Sequence, residues 1–97
     1  MAFDNIHNYF ERLVCEVIQA KVNDQQLEDD DDLLGDIACV ALNQLPSRYV
    51  RHNVDMIFYM TTEEREQNQA IAEEAVIMAI DYVEKHRHSE RPETINQ

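Results

Sequence analysis

Apolar and polar residues follow one another along this chain with a helical period. Phe3, Ile6, Phe10, Leu13, Val17 and Ile18 recur at three- and four-residue steps, and Tyr9, Val14 and Val22 widen the stripe. Asp4, Asn5, Asn8, Glu11, Arg12, Glu16 and Gln19 fall mostly on the other side. This spacing predicts a first helix over residues 3–22. The period then lapses. Glu28, Asp29, Asp30, Asp31 and Asp32 are five consecutive carboxylates, which repel one another and predict a solvated connector over residues 24–32. Its last aspartates stand before Leu33, placed to cap a second helix at its positive end. Ile37, Val40, Ala41 and Leu45 are the apolar stripe of that helix. Pro46 lacks an amide hydrogen and disfavours helical geometry at Leu45, so the helix is expected to stop there.

Beyond Pro46 the period shortens. Arg48, Tyr49, Val50 and Arg51 are β-prone, His52 and Asn53 suggest a turn, and Met56, Ile57, Phe58, Tyr59 and Met60 form a short apolar run with strand character. The run is expected to pair with residues 47–50 as a hairpin, or to form an edge that pairs across a dimer. Thr61 is placed to cap a last helix over residues 62–86, with Glu64 completing a capping box. The first half of this helix is polar. Its second half, with Ala70, Ile71, Ala72, Ala75, Val76, Ile77, Met78, Ala79, Ile80, Tyr82 and Val83, is apolar on most sides. A helix of that kind needs more cover than one small domain offers, which predicts a homodimer built partly on it. Residues 87–97 are polar, include Pro92, and are expected to fray. The predicted fold is mainly α with a short β-hairpin or strand pair, a small α+β arrangement of three principal helices in a single domain.

Composition adds limits. A chain of 97 residues hides only about 60–65% of its unfolded surface, so a partner subunit helps. No apolar run approaches the roughly 20 residues of a membrane helix, and the first ten residues lack the pattern of a signal peptide. The formal charge of −12 repels phosphate backbones and anionic lipid, which argues against a nucleic-acid polymer or a membrane as partner. Cys15 and Cys39 lie within helical patterns and are expected to be reduced packing thiols of a cytoplasmic protein.

Candidate chemistry is sparse. His7 and Glu11, one helical turn apart, suit a surface hydrogen bond better than acid–base work. His86 and His88 need further ligands to gather a metal. The acidic run lacks the alternating ligands, central glycine and distal glutamate of a calcium loop. Neither cysteine has a basic neighbour to activate it, and one glycine excludes a glycine-rich phosphate loop. The chain therefore reads as non-enzymatic, with no cofactor and no metal. What remains is the exit of the second helix. Arg48 and Arg51 suit phosphate oxygens, Tyr49 suits stacking on a purine, and Asn43 or Asp36 suits a base edge. A structural alternative stands beside it: Asn43 capping its own helix, Arg48 bridging to Asp36 or Glu11, and Tyr49 packing in the core.

These same residues carry a resemblance. Asp36 and Ile37, then Ala41, Leu42 and Asn43, then Leu45, Pro46, Arg48, Tyr49 and Val50 resemble the DI-x-A-x-ALN-x-LPPRYV signature of the late competence protein ComFB family. Asn8, Glu11 and Val14 resemble that family's N-terminal helix pattern, and the resemblance covers roughly residues 3–86. Ser47 stands where the family usually has a second proline. Several members carry a cysteine cluster ahead of the DI motif, of the sort that suits zinc; here acidic residues, Leu33, Leu34 and Gly35 stand there, so zinc is not expected. The resemblance implies an association with natural competence and, as in some bacterial groups, a receptor for cyclic di-GMP. The expectation is a cytoplasmic homodimer that binds this nucleotide through Asn43, Arg48, Tyr49, Arg51 and Asp36 and signals to a protein partner. The rival expectation is a ligand-free interaction module, related to competence or motility, whose acidic surface engages a basic protein.

Overall fold

In a computed structural model, which describes residues 3–51 and 60–94, three helices pack against one another beside a two-residue strand pair. In chain order these are β1 (His7–Asn8), α1 (Tyr9–Asn23), α2 (Asp31–Gln44), β2 (Tyr49–Val50) and α3 (Thr62–Thr94). The strands are antiparallel, with His7 opposite Val50 and Asn8 opposite Tyr49. This is the small α+β fold expected. Among the described residues, however, the strand partner of Tyr49 and Val50 comes from the N-terminal segment. The predicted partner run, residues 56–59, lies outside the described residues.

The first helix begins six residues later than the apolar period suggests. Asn8 adopts extended backbone and its side chain accepts from the Phe10 amide at 3.1 Å, the geometry of an N-cap. Residues bound into a strand pair cannot also continue a helix, so Phe3 and Ile6 end outside it and exposed. At the other end α1 closes in a Schellman arrangement: Gln26 donates to the Lys21 carbonyl and Gln25 to that of Val22. Gln25 takes the left-handed conformation this requires, with φ 62°, at a cost of roughly 1–2 kcal/mol. The turn delivers Leu27 into the core.

The aspartate run does cap α2. Asp30 is the cap, accepting from Asp32 and Leu33 amides at 3.0 and 3.4 Å, and Asp31 and Asp32 fill the first turn. The helix ends at Gln44 with Leu45 as an extended C-cap, one residue before Pro46. At the start of α3, Thr61 and Glu64 form the predicted capping box. This helix continues to Thr94, eight residues past the expected frayed boundary. Arg87, where fraying was expected to start, reaches back to Asp30 at 3.9 Å.

The main core is where the three stripes meet. Phe10, Val14, Val17 and Ile18 face Leu33, Ile37, Ala41 and Leu45, and both sets close on Ala72, Ala75, Val76, Ala79 and Val83. Val14, Ile37 and Val76 are fully enclosed, each worth about 1.5–3 kcal/mol relative to exposure. The alanines of α3 let the other two helices approach closely. The larger apolar residues of that helix, Ile71, Ile77, Met78 and Tyr82, remain about half exposed. Cys15 and Cys39 are exposed free thiols, not packing groups: each lies off the buried stripe of its own helix. Among the described residues no helix is long and apolar enough to cross a membrane.

Candidate functional site

The exit of α2 is built on a second, smaller apolar cluster. Val50 and Met60 are buried there against Tyr9. The Tyr9 hydroxyl donates to the Met60 sulfur at 3.6 Å, and its ring meets Phe10 edge-on at 5.4 Å. Three elements therefore converge: the start of α1, the strand after Pro46, and the residue preceding the cap of α3. With Val50 turned inward, the alternation of a strand turns Tyr49 outward, where it is 69% exposed.

The backbone of Arg48 is fixed at both of its polar groups. Its amide donates to the Asn8 side-chain oxygen at 3.2 Å, and its carbonyl accepts from the Tyr9 amide at 2.6 Å. The same Asn8 oxygen caps α1. The guanidinium ends of Arg48 and Arg51 are left toward solvent, and among the described residues neither arginine takes part in an ion pair. The Glu64 carboxyl is held below the ordinary glutamate value by the Thr61 amide, then by the Thr61 hydroxyl. Arg48 exerts a small attraction on the same carboxylate.

The predicted site residues thus divide into two groups. Arg48, Tyr49 and Arg51 share one exposed segment on a fixed backbone. Asn43 is exposed in the last turn of α2, across the Pro46 turn, and makes no cap; Leu45 is the C-cap. Asp36 is exposed on the same side of α2 as Asn43, two turns back, about 10 Å along the axis. The structural alternatives for Arg48 and Tyr49 are absent: Arg48 bridges to neither Asp36 nor Glu11 among the described residues, and Tyr49 is outside the core. Residues 52–59, which follow Arg51 in the chain, lie outside the described residues.

Asn8 and Tyr9 are the members of this region that the apolar period concealed. The signal was present as an asparagine three residues before Glu11, a helix-start pattern, masked by apolar Phe3 and Ile6 upstream. His7 lies in β1, so it is not one helical turn from Glu11; its Nδ1 is 3.3 Å from the Asn5 carbonyl.

Elsewhere, a cleft of about 660 Å³ lies between the α1–α2 connection and the C-terminal half of α3, and another of about 390 Å³ between α1 and α3. The first is lined by both signs of charge, Glu28, Asp81 and Glu84 against Lys85 and Arg87. Neither includes a predicted site residue. Among the described residues no group of histidine, cysteine, aspartate and glutamate is placed to hold a metal ion. Compared with known proteins, residues 7–87 match the family model described as late competence development protein ComFB. No curated protein and no solved structure matches the chain.

Proposed function

Because the chain belongs to the late competence development protein ComFB family, we propose that it is a non-enzymatic cytoplasmic receptor for cyclic di-GMP that works as a homodimer and signals to a protein partner. The observation that carries this reading is the exposed placement of Arg48 and Arg51 on either side of Tyr49, with neither in an ion pair among the described residues. A guanidinium not engaged by a carboxylate is available to two phosphate oxygens at once. Two such groups concentrate positive charge in a molecule of net charge −12, so attraction for an anion is local to this segment. Tyr49 offers a ring face to guanine, and Asn43 an amide to a base edge. The half-exposed Ile71, Met78 and Tyr82 follow one side of α3 at seven- and four-residue steps, which supports the dimer. Titration calorimetry with cyclic di-GMP tests the reading: saturable micromolar binding lost in Arg48→Ala supports it, and absence of binding by the unsubstituted chain removes it.

A second reading is a ligand-free interaction module. The acidic surface and the uncovered side of α3 favour it. Its mark is salt-sensitive capture of a basic protein that persists in Arg48→Ala with no nucleotide bound.

A further inference from the structure

We infer that Asn8 is a positioning residue for the arginine segment: one side-chain oxygen both caps α1 and fixes the backbone on which Arg48, Tyr49 and Arg51 are carried. This rests on the reading of that segment as the ligand-binding one. The Asn8 Oδ1 accepts two backbone amides, Phe10 at 3.1 Å within its own helix and Arg48 at 3.2 Å from 40 residues away. The Tyr9 amide closes the clamp by donating to the Arg48 carbonyl at 2.6 Å. An amide oxygen has two lone pairs, so both bonds to Asn8 are accommodated at once.

The local chain shows why such a clamp is needed. Pro46 ends α2 and forces an extended exit, and β2 is only two residues long. A strand pair that short is too small to hold its own register. Without Asn8, Arg48 would retain one backbone bond to α1 in place of two. The two arginines would then have to be ordered at the moment of binding, an entropy cost that a fixed backbone avoids. The clamp also orients the segment toward the N-terminal end of α1, where the helix dipole is positive. Asn8 thus favours an anionic ligand without touching it.

Two substitutions separate capping from clamping. Serine is a good N-cap but is one atom too short to hold the Arg48 amide as well. Asn8→Ser is expected to keep a melting temperature near that of the unsubstituted chain while weakening cyclic di-GMP binding about tenfold or more, the scale of lost preorganisation. Hydrogen exchange at the Arg48 amide should accelerate by a similar factor. Asp30→Ala, which removes the cap of α2 instead, should lower the melting temperature yet leave affinity and Arg48 exchange unchanged. If Asn8→Ser binds as the unsubstituted chain does, or Arg48 exchange does not change, the positioning role is overturned while the receptor reading stands. If the unsubstituted chain does not bind at all, the receptor reading falls, and Arg48 exchange decides the clamp alone.

Discussion

Thr61 and Glu64 hold each other through two reciprocal hydrogen bonds. The Thr61 amide donates to the Glu64 carboxylate at 2.9 Å, and the Glu64 amide donates to the Thr61 hydroxyl at 3.0 Å. Because the Thr61 amide, and then the Thr61 hydroxyl, favour the ionised carboxylate, its folded-state pKa lies below the ordinary 4.5. A depressed folded pKa gives stability that is complete above the unfolded value and lost as pH falls through the folded one. Thr61→Ala should lower stability at neutral pH by removing the helix cap, and Glu64→Gln should flatten the acid limb of stability below about pH 4.5. Urea titrations at stepped pH check both, and an unchanged acid limb in Glu64→Gln counts against the assignment.

Ile37 is fully enclosed between α1 and α3. Ile37→Ala should lose about 2–5 kcal/mol, a large share of the roughly 5–15 kcal/mol that holds a typical domain together. The midpoint of urea unfolding should drop sharply with little change in slope. A loss under 1 kcal/mol would mean that the site collapses around the missing atoms.

For the proposed ligand, Arg48→Ala should weaken cyclic di-GMP binding by about 1.5–3 kcal/mol, the worth of hydrogen bonds to a charged group. Tyr49→Phe should matter little, because stacking needs the ring and not the hydroxyl. Tyr49→Ala should cost about 1–3 kcal/mol. Calorimetry reads all three, and equal affinity in Arg48→Ala and the unsubstituted chain counts against the assignment.

Light scattering should give twice the chain mass if α3 supplies a dimer surface. Met78 lies between Ile71 and Tyr82 on that side and is half exposed. Met78→Glu should weaken self-association about tenfold or more by burying an unpaired charge, with helix content intact. A monomeric unsubstituted chain disposes of the dimer and leaves the monomer fold untouched.

Both thiols should react with an aromatic disulfide reagent in the folded protein, without denaturant, since Cys15 and Cys39 are exposed. The Cys15→Ser, Cys39→Ser pair should change stability by no more than about 0.5 kcal/mol. Protection of either thiol until unfolding would place it in a buried contact instead.

The sequence made the helices legible wherever one strong local rule acted alone. Pro46 stopped α2, the aspartates capped it, and the Thr61 to Glu64 spacing marked the start of α3 correctly. Failures came where a distant partner overruled a local pattern. Phe3 and Ile6 extend the apolar period of α1, but pairing with Tyr49 and Val50 takes residues 7 and 8 out of helix. No local rule shows that pairing. For the same reason Asn8 looked like one polar residue among several, while its second hydrogen bond runs to Arg48. The cysteines misled differently: a helical pattern shows that a residue is in a helix before it shows which way it faces. The arginines were named from type alone, and their exposure became visible only once their possible carboxylate partners had positions.

Thirty-three residues of continuous helix measure about 50 Å at 1.5 Å each, and the molecule's longest dimension is 48 Å. The part of the helix that runs from the capping box beside Arg48 to the Arg87 contact with Asp30 covers about 38 Å of that length. A single helix, buried along its middle, therefore sets the separation between the arginine segment near its start and the acidic connector that meets it at Arg87.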